Sequence, residues 1–283
     1  MLKFYNGQMS RLLMTRLVIC FLNTIIISST LNANQLSRSN GGEKSTLIPI
    51  ESNDKKNNPL DHLLLIGTRK NFDSNKVEIF NFLDQLKSKK NRLNSDEKFL
   101  EYVFFEVHRR YLKVFRPLTD FSQIFQEGKY NCLTATTFYA IILDYFNFQY
   151  DLIELPNHIF LKVVLDQQSI LIESTDPLRG FIKDSNEIKI HLKAYVTSIK
   201  DSLTIKTSLL EPIDFHQLIG LHYFNLAIKS FRFDNFKKSY IAINKALFYH
   251  KSPKLFSFLN VLLEKTKFTT LEKTLLMKNK QVT

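Results

Sequence analysis

The supply of cysteine constrains this chain more than any other feature. Only two of its 283 residues are cysteine, and the first, Cys20, sits in a segment that reads as an export signal. Residues 1–16 carry Lys3, Arg11 and Arg16 and no acid. Leu17 to Ile27 is an apolar run of 11 residues with one Asn inside, and Ser28, Ser29, Thr30 and Ala33 follow. A basic start, a short apolar stretch and a small-residue exit make the pattern of a secretory signal. As a helix the run would span roughly 16 Å, short of the ~30 Å hydrocarbon core. The expectation is a signal over residues 1–33, with an uncleaved anchor as the alternative and membrane contact only in that case. Cys20 does not follow a small residue, so lipidation at that site is not expected. Removal of the signal leaves Cys132 as the sole thiol. The exported protein, periplasmic or extracellular, then has no intramolecular disulfide and must be held by apolar burial.

The composition can supply that core. Hydrophobic residues make up 44% and charged residues 23%, with 25 Phe and no Trp, which is ordinary for a globular chain. No second apolar run approaches membrane length, which excludes a polytopic membrane protein. The 39 basic and 27 acidic residues give a net charge of +12 and a pI near 9.5. The basic residues are scattered, with no helix-turn-helix pattern and no Arg-rich arm, so no specific nucleic-acid partner is predicted. His62, His108, His191, His216, His222 and His250 lack metal-ligand spacing, and there is no Gly-rich phosphate loop or Gly-x-Ser-x-Gly elbow. Neither a metal nor a cofactor is implied.

The order of elements predicts an α+β fold. Residues 34–58 are polar and read as a flexible linker. Ile79, Phe80, Phe82, Leu83 and Leu86 follow helical spacing, and Phe99, Val103, Phe104, Val107 and Tyr111 stripe a second helix opened by an Asn94–Glu97 capping box. A third helix starts near Cys132 and runs to about Phe146. Val163-Val164 and Ile170–Ile172 read as two strands joined at Asp166-Gln167-Gln168, with Tyr150–Glu154 a candidate strand before them. Residues 178–212 have no clear pattern. Residues 213–276 return to helix, and Gly220–Pro253 fits one 34-residue helical hairpin in which Tyr223, Leu226, Ala227, Ala246 and Leu247 fall at tetratricopeptide positions. A plain amphipathic helix pair packed on the core is the alternative. Residues 254–276 read as a capping helix, and 277–283 as a polar tail.

Three segments offer chemistry: G-K-Y-N-C-L-T around Cys132, P-N-H-I-F-L around His158 and I-E-S-T-D-P around Glu173. A cysteine opening a helix meets unpaired N–H groups and the positive end of the helix dipole, which favour a thiolate and can face an oxyanion. An imidazole beside it can accept the thiol proton and return it to a leaving group. A carboxylate on the far side of the ring fixes the tautomer. Two antiparallel strands joined by a tight turn bring His158, at the start of one, beside Glu173, at the end of the next. Each residue also has a plain structural reading: a small buried hydrophobe, a turn histidine and a turn cap.

These segments resemble the transglutaminase-like superfamily, whose fold is akin to that of papain-type cysteine proteases, over about residues 100–180. Together with the tetratricopeptide-like tail they resemble a bacterial subgroup that joins both modules. The resemblance implies a transglutaminase-like core over residues 59–212, a nucleophile at Cys132, a base at His158 and an orienting acid at Glu173. Glu stands where the family has Asp, and the family's Trp near the site is missing, so Asp176 is a rival for the third role. Gln126 lies six residues before Cys132, an offset at which papain-type enzymes hold the oxyanion with Gln; an exposed loop amide is the other reading. The expected function is a protease- or amidase-type hydrolase, or an acyltransferase, acting on a peptide or amide-bearing substrate through an acyl-thioester. The rival is a non-catalytic scaffold that binds a protein partner through residues 213–276.

Overall fold

A computed structural model describes residues 58–165, 168–199 and 212–266. The signal, most of the linker, the Asp166-Gln167 turn and the polar tail predicted above lie outside the described residues. The architecture is α+β, mixed helix with a five-stranded antiparallel sheet. Three helices lead: α1 (Pro59–Leu65), α2 (Phe72–Lys90) and α3 (Asp96–Arg110). The cap of α3 is Ser95, whose side chain accepts from the Lys98 N–H at 3.4 Å, one residue later than the Asn94 box predicted. Strand β1 (Val114–Phe115), the short helix α4 (Gln123–Glu127) and strand β2 (Lys129–Tyr130) then lead into α5 (Cys132–Tyr145). Strands β3 (Tyr150–Leu155), β4 (His158–Leu165), β5 (Gln168–Ile172) and β6 (Phe181–Ile182) precede α6 (Ser185–Ile199), and β7 (Pro212–Ile213) precedes α7 (Phe215–Arg232), α8 (Phe236–Tyr249) and α9 (Pro253–Thr266). The sheet order is β6-β5-β4-β3-β7.

Helix α5 lies at the centre of the described core. Every residue from Leu133 to Leu143 is buried, which a helix tolerates only when other elements enclose it on all sides. Phe138 has no exposed surface and meets the rings of Phe82, Tyr111, Phe121 and Phe125. One sheet face, carrying Ile159, Leu161, Val163, Ile170 and Ile172, joins this large core. The alternate residues Phe160 and Leu171 turn to the other face. There they join Ile153, Leu155, Ile182 and Ile188 in a small second cluster, with Leu192 and Tyr195 against it. Helix α6 thus covers the second face with residues spaced four and three apart, and it occupies the stretch whose pattern was unclear in the sequence.

The tail shares the large core: Leu218, Ala227, Ile243, Ala246, Leu255 and Leu262 belong to the same cluster as α5. Helices α7 and α8 approach closely where residues are small. A Cβ on Gly220 would lie 2.7 Å from the His250 Cβ, and the Ser239 hydroxyl donates to the Ala227 carbonyl at 2.8 Å. Polar contacts fasten the tail elsewhere. His62 on α1 meets the Tyr223 hydroxyl at 2.7 Å, and Glu154 on β3 pairs with His250 at 2.7 Å. No described helix is long and apolar enough to cross a membrane.

Candidate active site

The approach to Cys132 is fixed residue by residue. Gly128 ends α4 in the left-handed region at φ 63°, where an added Cβ would press on Lys113. Lys129 and Tyr130 then pair in parallel with Val114 and Phe115. Asn131 caps α5: its side chain accepts from the Thr134 N–H at 2.9 Å, while the Thr134 hydroxyl accepts from the Asn131 N–H at 3.0 Å. Cys132 is therefore the first helical residue, partly buried and not in a disulfide. Its own N–H and that of Leu133 belong to the first turn, which has no acceptor inside the helix.

The β4–β5 register explains how His158 meets Glu173. Leu161 pairs with Ile172, so one further step sets Glu173 opposite Phe160, with His158 two residues along on the same face. His158 Nε2 and Glu173 Oε2 are 2.6 Å apart. Thr175 donates to the other oxygen, Oε1, from its N–H at 3.0 Å and its hydroxyl at 2.5 Å. The Tyr195 hydroxyl donates to Oε2 at 2.6 Å. With Nε2 taken by the carboxylate, Nδ1 is the ring nitrogen left for the thiol.

The charges follow from this geometry. Burial disfavours protonation of His158, but the Glu173 charge and hydrogen bonds with Cys132 and Glu173 outweigh it and hold the imidazole well above its usual range. Burial also favours a neutral Glu173. The His158 charge and the hydrogen bonds from His158, Thr175 and Tyr195 overcome that and bring the carboxyl down to about 2. An imidazolium beside a carboxylate is the resting state this implies.

A second set of contacts holds the helix to the strands. The Thr136 hydroxyl, one turn beyond Cys132, donates to the Ile159 carbonyl at 3.2 Å and lies 3.3 Å from the Ser174 hydroxyl. Ile159 adjoins His158 and Ser174 adjoins Glu173, so one buried hydroxyl ties the three segments together. Gly180 closes the turn behind the acid. A Cβ there would lie 2.0 Å from the Glu173 carbonyl oxygen and 2.5 Å from that of Asp176.

Cys132, His158 and Glu173 are thus brought together. Asp176 is not part of that chain of contacts: its carboxylate accepts from the N–H groups of Leu178 and Arg179 at 3.2 and 3.1 Å, shaping the turn. The Gln126 side chain donates to the Lys70 carbonyl at 3.2 Å. Tyr195, Thr136, Ser174 and Gly180 escaped sequence reasoning. Only the spacing Ile188, Leu192, Tyr195 in α6 offered a signal for the first of them. Among the described residues no group of three His, Cys, Asp or Glu could hold a metal ion. The chain matches no protein-family model, no curated protein and no solved structure.

Proposed function

We propose that this chain is an exported cysteine-nucleophile enzyme of transglutaminase-like type, acting on an amide or peptide carbonyl. The observation that carries the reading is the His158 imidazole, held by the Glu173 carboxylate at 2.6 Å and raised in basicity by Cys132 as well, the partly buried first residue of α5. In the resting pair the Cys132 proton already sits on His158 Nδ1, and the sulfur attacks the carbonyl carbon. The carbonyl electrons move to oxygen, where the N–H groups opening α5 can receive the charge. The imidazolium then protonates the departing nitrogen as the C–N bond breaks, leaving an acyl-thioester. Water deprotonated by His158 releases the acid in a hydrolase; an amine takes its place in a transferase. Hydrolysis is the reading favoured by the resemblance, and the step needs no metal or cofactor. Export rests on the pattern of residues 1–33. Residues 213–276 would shape the substrate groove or hold a protein partner.

The test is alkylation of the full chain with iodoacetamide, following the Cys132 peptide by mass spectrometry. Wild-type labelling should persist below pH 7, where an ordinary thiol of pKa about 8.5 reacts slowly. His158→Ala should slow it at neutral pH by about a hundredfold. Equal rates in the two proteins would remove the enzyme and leave the scaffold that binds through its helical tail.

A further inference from the structure

The carboxylate of Glu173 is held at both oxygens. Oε1 takes both Thr175 donors, and Oε2 is shared by His158 Nε2 and the Tyr195 hydroxyl, each at 2.6 Å. Glu has one more side-chain torsion than Asp, so a site built on Glu has more freedom to remove before the acid is aimed. The Tyr195 ring also lies over the His158 ring, with centroids 5.0 Å apart and planes 21° apart, and over Phe160 at 5.8 Å and 15°. Its own position comes from α6, which Ile188 and Leu192 seat on the second cluster.

We infer that Tyr195 is a positioning residue of this site: its hydroxyl fixes the carboxylate oxygen that His158 uses, and its ring covers one face of the imidazole. The inference rests on the enzymatic reading above. It makes α6 part of the machinery, because the aim of the acid depends on a side chain 22 residues further along the chain. The titratable groups around the pair are Cys132 from α5, Tyr195 and His191 from α6, and His108 from α3. His191 Nε2 lies 4.0 Å from Glu173 Oε2, and His108 interacts through charge with Glu173 and Asp176. Tyr195 differs from both histidines in hydrogen-bonding the oxygen that His158 uses, which His191 Nε2 approaches only to 4.0 Å.

A double-mutant cycle tests this, again with iodoacetamide at Cys132 in the full chain. Tyr195→Phe should slow alkylation about tenfold, the scale of one lost hydrogen bond to a charged group. In a Glu173→Gln background the same change should alter the rate by less than about twofold, because a residue acting through Glu173 has nothing left to act on. The Nε2–H proton resonance of His158 should also move in Tyr195→Phe, since the other donor to its acceptor oxygen is gone. Tyr195→Met, which also lacks the hydroxyl, carries the same expectations if Tyr195→Phe folds poorly. A wild-type rate with an unmoved resonance, or an undiminished effect in the Glu173→Gln background, would overturn the inference. In either case His158→Ala would still report separately on the enzymatic reading.

Discussion

The two faces of the central sheet are built from the same strands and do different work. On the α5 face, Ile159, Leu161 and Val163 from β4 enter a core that reaches from α1 to α9. On the α6 face, the alternate residues His158 and Phe160 meet a cluster of only six buried apolar residues. That second face carries Glu173, Thr175 and Tyr195 in place of further apolar packing. A strand reverses side-chain direction at each residue, so one eight-residue segment, His158–Leu165, serves both purposes without compromise. A small apolar cluster suffices on the chemical side because the other side supplies most of the burial.

The strongest way to break this comparison is to attack the α5 face. Phe138→Ala removes a ring enclosed by four others and should cost about 3–5 kcal/mol. That is a large share of the ~5–15 kcal/mol a domain has in total. A urea unfolding midpoint reads it. A loss below about 1 kcal/mol would mean that the core is not concentrated there.

Lowering pH sharpens the comparison, because the two faces respond over different ranges. On the α5 side burial alone holds His222 at about 3, and burial holds His108 at about 4 against weak opposing charges from Asp176 and Glu173. Both are ordinary histidines in the unfolded chain and titrate there near 6.5. The unfolded state therefore binds more protons below 6.5, and the stability these residues confer is complete above 6.5 and lost as pH falls towards 4 and 3. Glu173 acts lower: what it contributes is complete above about 4.5 and lost towards 2. His158 has the opposite sign, contributing fully below 6.5 and losing that as pH rises through its elevated value. Between pH 7 and 5 the α5-side histidines should dominate, with a loss on the order of 2–4 kcal/mol. The Thr137 hydroxyl donates to the Leu133 carbonyl at 2.8 Å, so His222 Nε2–H must donate to Thr137 across the 2.7 Å between them. His222→Gln keeps a donor without a titrating ring and should flatten about half of that slope. An unchanged slope would assign the pH dependence elsewhere.

The same division decides what was legible in the sequence. Helix α5 could be read because it is apolar all round and starts at a turn. Cys132, His158 and Glu173 could be read because each stands at the end of an element and their order implies a meeting. The choice between Glu173 and Asp176 could not, because it depends on strand register: Glu173 stands one step beyond the Leu161–Ile172 pair, and Asp176 has already entered the turn. Gln126 was ambiguous for a related reason. An amide near a cysteine has no direction in sequence, and the carbonyl that accepts its hydrogen bond belongs to Lys70, 56 residues away. Helix α6 stayed hidden because its apolar stripe is narrow, interrupted by Lys and His, and matched to a six-residue cluster rather than to the main core. Long-range partners such as Tyr195 leave no local mark.

Thr136 is where the comparison is most finely poised, since it sits in the main core and governs the chemical face. Its hydroxyl donates to the Ile159 carbonyl, so the Ser174 hydroxyl at 3.3 Å must donate to it. Thr136→Val keeps the shape and leaves both of these buried groups without their partner, at a cost of about 1–2 kcal/mol. If α5 and the β4–β5 pair are aligned through this hydroxyl, Cys132 alkylation should also slow, by about threefold, in the folded protein. Thr136→Ser loses a methyl, and with it about 1 kcal/mol of packing, but keeps the hydroxyl and should restore the rate. The two variants thus carry similar stability losses, yet only Thr136→Val slows the thiol, which packing alone would not produce. Full reactivity in Thr136→Val would show instead that the apolar core aligns the nucleophile without help, and that the two faces are coupled only through the strands they share.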